Sequence, residues 1–215
     1  MRHTLSTAAV WLLIAVPPVL AQNSTAAEYR NKASFLAAFP SFVEWPDSAF
    51  TSTQSPFVIC VRGDFSFGTS LAELARGASP HGRRVEVHWV HKDQDLRTCH
   101  IAFISHSELR RYTKLLHVLE GAGVLTVGET DDFLTAGGAI SFSSGREALQ
   151  FEVNLNAADA AHLKISSRLL AIARRVMSLA KIYDHLLGNG LSRTIDFDQY
   201  LRSLCESLSG SPIAI

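Results

Sequence analysis

Five histidines, His81, His88, His91, His100 and His106, fall within a short span and raise the question of zinc. Their spacing matches no standard site. His88 and His91 stand three apart in a strand-like segment and would face opposite sides. Scattered, solvated or hydrogen-bonded histidines account for the group better than a metal centre. Nucleophilic catalysis has no better footing. The chain lacks a Gly-x-Ser-x-Gly elbow, Ser166-Ser167 sits in a helical context as a cap or packing pair, and Cys99-His100 would point apart in a strand. No acidic pair stands out from ordinary surface carboxylates, so the residues carry no enzyme signature, no cofactor site and no metal site. Arg62-Gly63-Asp64 reads as a strand end followed by a turn. Gly63 to Gly68 mimics half of a phosphate loop but lacks the Gly-Lys-Ser/Thr ending. A helix starting at Ser66 would hold an anion only weakly. Lys164, Arg168 and Arg175 fall four and seven apart, on one helical face. They form either a solvated basic face or a docking face for an acidic partner.

The cysteines depend on the compartment. The opening "MRHTLSTAAVWLLIAVPPVLAQ" has a basic start at Arg2, an apolar run from Ala8 to Val16 and small or aliphatic residues at Val19-Leu20-Ala21. That is the layout of a secretory signal cut after Ala21, and the apolar run is short for a bilayer, which needs about 20 residues. The mature chain of about 194 residues then suffices for one domain with a real core. Its formal charge of about −1 excludes nucleic-acid binding by bulk charge, and 47% hydrophobic residues exclude disorder. Export permits a disulfide among Cys60, Cys99 and Cys205, with one thiol left over.

The elements that would position these residues follow from periodicity. "STAAEYRNKASFLAAFPSFVEWP" reads as a helix capped at Ser24 or Thr25, with Phe35, Phe39 and Phe42 on one stripe. Pro40 should bend it or end it early. "SPFVICVRG", "CHIAFIS" and "VLTVGE" are strands buried on both faces. "RRVEVHWV" alternates, "SFGTSLAELARG" is a short helix capped at Ser66, and "SELRRYTKLLHVLEG" is a helix opened by Ser107 and closed by Gly121. "GGAISFSS" and "LQFEVNL" flank a hairpin turn at Gly145-Arg146. "NAADAAHLKISSRLLAIARRVMSLAKIYDHLLG" is helical for most of its length. Beyond Gly188-Asn189-Gly190, "LSRTIDFDQYLRSLCESL" makes a further amphipathic helix. The pattern predicts an α/β three-layer sandwich: a mostly parallel sheet with an antiparallel hairpin edge and helices on both faces. The predicted units are a signal peptide over 1–21, an α/β domain over 22–177 and a C-terminal helical extension over 178–215. In the common 2-1-3 strand order, the strands of Cys60 and Cys99 are neighbours, close enough for a bridge. Two reduced buried cysteines are the alternative.

Together "KASFLAAFPSFVEWP", "FVICVRGDFSFG", "CHIAFIS", "VLTVGETDDFLTAGGAISF" and "LQFEVNLNAADAAHLKISSRLLAIA" resemble, in order and spacing, the YfiR family of periplasmic proteins. The resemblance runs over roughly Glu28 to Val176. It implies a small, commonly dimeric, non-catalytic periplasmic α/β domain that restrains a membrane diguanylate cyclase of the YfiN kind by binding its periplasmic part. Cyclic di-GMP then falls and biofilm formation is disfavoured. It also implies an outer-membrane lipoprotein of the YfiB kind as a second partner, and a disulfide between Cys60 and Cys99. Many relatives sit beside sensor kinases or transporters, so the resemblance implies a cyclase in the first place and a sensor kinase as the alternative partner. The chain departs from the family at Pro40 and in a longer C-terminal segment that contains Cys205. A periplasmic small-molecule sensor is the competing reading, with its ligand at the glycine turn after the first strand.

Overall fold

The computed structural model describes residues 19–64, 67, 69–144 and 149–174. Residues 1–18 of the expected signal peptide, Ser66, Gly145-Arg146, Arg175, Cys205 and the whole expected extension over 178–215 lie outside these residues.

The first helix, α1, spans Val19–Ala38. Ser24 and Thr25 therefore lie inside it and do not cap it. Pro40 acts as expected of a residue without an N–H: α1 stops at Ala38 and the chain tightens into a 3-10 turn, Phe39–Ser41. A two-residue strand follows, β1 (Val43–Glu44). The central elements are β2 (Phe57–Arg62), α2 (Ser70–Gly77), β3 (Val85–Trp89), β4 (Ile101–Ile104), α3 (Tyr112–Leu119), β5 (Leu125–Gly128), α4 (Asp131–Thr135), β6 (Ile140–Ser144) and β7 (Leu149–Val153).

Six strands form one sheet in the order β3-β2-β4-β5-β6-β7. The first five run parallel, and β7 returns antiparallel on β6 through the hairpin. The β-branched and aromatic runs read as doubly buried strands are so. Phe57, Ile59, Val61, Ile101, Phe103, Leu125 and Val127 turn to one core, shared with Phe35, Leu36 and Phe39 of α1 and Leu71 of α2. Cys60, Ala102 and Ile104 turn to the other, shared with Leu115 and Leu119 of α3 and Phe133 of α4. Helices thus cover both faces, the three-layer arrangement expected. Phe35, Phe39, Phe142 and Phe151 pack edge-on and offset under α1, with Phe35 and Phe151 centroids 5.1 Å apart.

The main departure is after β7. A single long helix was expected there. Instead α5 (Leu155–Ala160) is short, opened by Asn154, whose side chain accepts from Ala157 N–H. His162 then takes a left-handed φ of 59°, Leu163 drops into the core, and Lys164–Ile165 form β8. β8 pairs antiparallel with β1, Val43 opposite Ile165. A last helix, α6, is described over 167–174. Ser166 is its cap, accepting from Leu169 N–H at 3.3 Å. Burial of Leu163 and the ladder to β1 outweigh the helical propensity of the stretch.

Candidate functional site

In an open α/β sheet, ligands and partners meet the carboxyl ends of the strands where the chain reverses its winding. Here β2 leads through α2 on one face, and β4 leads through α3 on the other, so the reversal falls between β2 and β4. A polar crevice of about 480 Å³ opens at that place, lined by Arg62, Gly63, Asp64, Val90, His91, Ser107 and Glu108.

Arg62 anchors it. The alternation that points Cys60 inward points Arg62 to the same face, and the residue is 9% exposed. A guanidinium held there must be paired. Its Nη2 lies 3.3 Å from Asp93 and its Nε 3.2 Å from Glu108, the latter without hydrogen-bond geometry. Its Nη1 donates to the carbonyls of Val90 and His91. Arg111 completes the lattice, donating to both oxygens of Asp93 at 2.8 and 2.7 Å and to Glu108 at 2.8 Å. Burial pushes the Asp93 carboxyl up, but the hydrogen bonds and charge of Arg111, with Arg62 and Lys114, hold it below the ordinary carboxylate range. The turn beyond Arg62 is tight. Gly63 has φ of 99°, and a Cβ there would meet Ser107 Oγ at 2.5 Å and Ser105 Oγ at 2.7 Å. The same two hydroxyls accept from Asp64 N–H. The Arg-Gly-Asp sequence is thus a buried anchor, an obligatory glycine and an exposed carboxylate at a strand exit.

Ser105 shapes the opposite wall. Its hydroxyl accepts from Ser107 N–H at 3.1 Å, so Ser105 rather than Ser107 caps this segment. The first turn, His106–Arg111, is 3-10, and α3 starts only at Tyr112. A second charged group lies close by. Lys32 of α1, 4% exposed, contacts Glu129 at 2.7 Å and Glu28 at 2.7 Å. Burial pushes its pKa down, but the bonds and charges of the two glutamates outweigh that and raise it. Glu129 also accepts from His106 N–H at 2.7 Å. Burial, with a contribution from Glu129, pushes the Tyr112 hydroxyl up to about 12.

Two residues before Arg62 and on the same face of β2, Cys60 forms a disulfide with Cys99, the Cα atoms 5.9 Å apart. Cys99 ends the 3-10 turn Asp93–Thr98 just ahead of β4, so the bridge ties that loop to β2. Next to it His100 is buried. Its Nδ1 accepts from Val58 N–H at 3.0 Å and its Nε2 contacts Ala49 O at 3.1 Å. The first bond requires the neutral ring with its proton on Nε2. Burial, with the charge of Arg83, lowers its pKa despite the bond to Ala49. His100 is a structural clasp stacked on Phe50 at 4.6 Å. His81 contacts Pro40 O at 3.1 Å, and His88, His91 and His106 are exposed at separate places. Among the described residues no cluster of three metal-ligating side chains exists.

Of the basic trio, Arg175 is outside the described residues. Lys164 and Arg168 are both exposed, but Lys164 stands on β8 and Arg168 on α6. Their four-residue spacing therefore does not put them on one helical face. Sequence reasoning missed the Arg62 lattice. Its signal was a charged residue ending a wholly apolar strand, in phase with the buried Cys60.

The domain is thus an open, doubly wound α/β fold, braced by one disulfide and bearing a shallow ion-paired crevice. The YfiR/HmsC-like family model matches residues 29–174, and the chain belongs to that family. The family is one of regulatory, non-catalytic periplasmic proteins that act through protein partners in cyclic di-GMP signalling. A histidine kinase family model also matches, over residues 152–211. Its first part coincides with α5, β8 and α6, whose Leu163, Leu169 and Ile172 are built into the core. No curated protein matches the chain. Among solved structures, a conserved domain protein from Vibrio cholerae O1 biovar El Tor is similar at 12% identity, with a TM-score of 0.43. That likeness covers 66% of this chain and 58% of the other. Among the described residues no helix is long and apolar enough to cross a membrane.

Proposed function

We propose that this chain is an exported, non-enzymatic repressor. It binds the periplasmic part of an inner-membrane signalling protein, in the first place a diguanylate cyclase of the YfiN kind, and is itself sequestered by an outer-membrane lipoprotein of the YfiB kind. The observation that carries this reading is the family match across the whole disulfide-braced domain. The protein works as a homodimer. The exposed Lys164 and Arg168, with Arg175, dock an acidic partner surface, and the Cys60–Cys99 bridge keeps the binding-competent fold. A sensor kinase stands beside the cyclase as the alternative partner class. Purified mature chain should capture the periplasmic domain of a YfiN-like cyclase, or of a sensor kinase, in a direct binding assay. Lys164→Glu/Arg168→Glu should weaken that capture, and so should loss of the bridge. If neither domain binds, the reading fails.

The crevice at the end of β2 favours a second reading, a small-molecule sensor. A rise of several degrees in melting temperature with one metabolite, abolished by filling the turn at Gly63, would favour it over partner capture.

A further inference from the structure

The sheet has two lateral ends, and one of them is built to meet its own copy. In a parallel ladder, alternate residues turn both backbone groups to the same neighbour. Phe57 N–H donates to Arg84 O at 2.8 Å and Val90 N–H donates to Val61 O at 2.9 Å. Arg84, Glu86, His88 and Val90 therefore address β2, and Val85, Val87 and Trp89 turn their N–H and C=O groups outward. Among the described residues β2 is the one strand paired with β3. The strand holds no proline, and its side chains alternate: Val85 and Val87 pack toward the α1 and α2 core, and Glu86 and His88 lie on the other face. Such a row of outward groups is a template for another strand.

We infer that β3 is the seam of a homodimer, in which two copies pair their β3 strands antiparallel about a two-fold axis at Val87. Charge and strand length together select this register: an axis at Val85 would also oppose Arg84 and Glu86, but would set residues 87–89 against residues 81–83, outside the strand. With the axis at Val87, Glu86 stands directly opposite His88 of the second copy, twice over. An axis at Glu86 would set carboxylate against carboxylate, and an axis at His88 would set imidazole against imidazole. Within one copy Glu86 already draws in Arg84 at 3.1 Å and His88 at 3.4 Å, so the carboxylate is presented between two basic groups. On the other face the two Val87 side chains meet, and Val85 meets Trp89 of the second copy. Trp89 is 37% exposed, and Leu74 on the adjoining α2 is 39% exposed, which adds apolar surface beside the seam. The free edge at β7 has no such match. There Asn154 N–H donates to Ala139 O, so an axis at Phe151 would pair Gln150 with Glu152.

This inference rests on the homodimer reading above and supplies its interface. The test uses the mature chain carrying Cys205→Ser. Sedimentation should show a dimer whose dissociation constant rises about tenfold in Glu86→Lys, from two lost cross-strand pairs. In Glu86→Lys/His88→Glu the pairs are rebuilt with reversed sign, and the constant should return to within about threefold of the parent. Val87→Cys should cross-link covalently under mild oxidation, because residues opposed at such a pair lie about 5.5 Å apart. Val85→Cys, opposite Trp89, should not. A dimer unaffected by Glu86→Lys, or a Val87→Cys variant that never cross-links, overturns the seam while leaving the homodimer reading intact. A chain monomeric at every concentration overturns both.

Discussion

Replacing Cys60 and Cys99 together by alanine isolates what the disulfide contributes. The two residues are 39 positions apart in sequence, 1% and 4% exposed, and held with Cα atoms 5.9 Å apart. Alanine fits both sites and buries no hydroxyl, so the chief loss is the constraint on the unfolded chain. A closed loop of this length restricts that chain by about 4 kcal/mol at 25 °C in the chain-entropy account. For a domain of this size each kcal/mol moves the melting temperature by roughly 2–4 °C. The double variant should therefore melt about 8–16 °C lower than the parent. Adding a thiol reductant should bring the parent down by a similar amount and leave the variant unmoved. Calorimetry or circular dichroism with and without reductant reads both. A variant within about 1 kcal/mol of the parent would show that the loop Asp93–Thr98 is already pinned in the unfolded state or by its own packing, and that the bridge does not brace the fold.

Other perturbations test the polar lattice. Lys32→Met leaves Glu129 buried without its cation and should cost about 3–5 kcal/mol in urea unfolding; Lys32→Met/Glu129→Gln should recover part of it. Gly63→Ala must adopt a conformation L-residues avoid and displace the hydroxyls of Ser105 and Ser107, so a loss of at least about 1–2 kcal/mol is expected. His100 carries a lowered pKa, so the folded state binds its proton less readily than the unfolded state, whose value is 6.5. Its contribution is complete above that value and is lost as pH falls toward the folded pKa. Urea midpoints should drop between pH 7 and pH 5, and His100→Asn should flatten that slope while lowering the midpoint at pH 7. Asp93, also lowered but with an ordinary value of 3.8, acts in a separate and more acidic window, so Asp93→Asn should leave the slope between pH 7 and pH 5 unchanged.

The central strands were legible because the sheet's interior is written in runs such as Phe57–Val61 and Ile101–Ile104, where every neighbour is apolar, as strands covered on both faces require. Their order came from the common winding of such sheets, not from the runs themselves. Pro40 was legible for the same kind of reason, since a missing N–H acts locally. Caps were less so. Ser24, Thr25 and Ser107 each look like a cap by residue type, but a cap depends on where the chain turns: Ser24 and Thr25 fall within α1, and the Ser105 hydroxyl takes the cap ahead of α3. The stretch from Asn156 onward misled most. Its alanines and leucines favour helix at every position, and what breaks it is a partner strand at Val43, far away in sequence. The site was legible only as a location, the turn after β2. Its chemistry comes from Asp93, Glu108 and Arg111, which no local pattern links to Arg62.

The ribbon of β1 and β8 has a consequence for how this molecule can be cut. Among the described residues Val43-Glu44 pairs with Lys164-Ile165 alone, so the start of the domain is finished by a stretch near the far limit of the described residues. A fragment ending at the hairpin would keep all six strands of the large sheet yet leave the exit of α1 with nothing to lie against. Trimming for expression, or splicing another module onto this one, therefore has to fall beyond Ala173, the last buried side chain among the described residues.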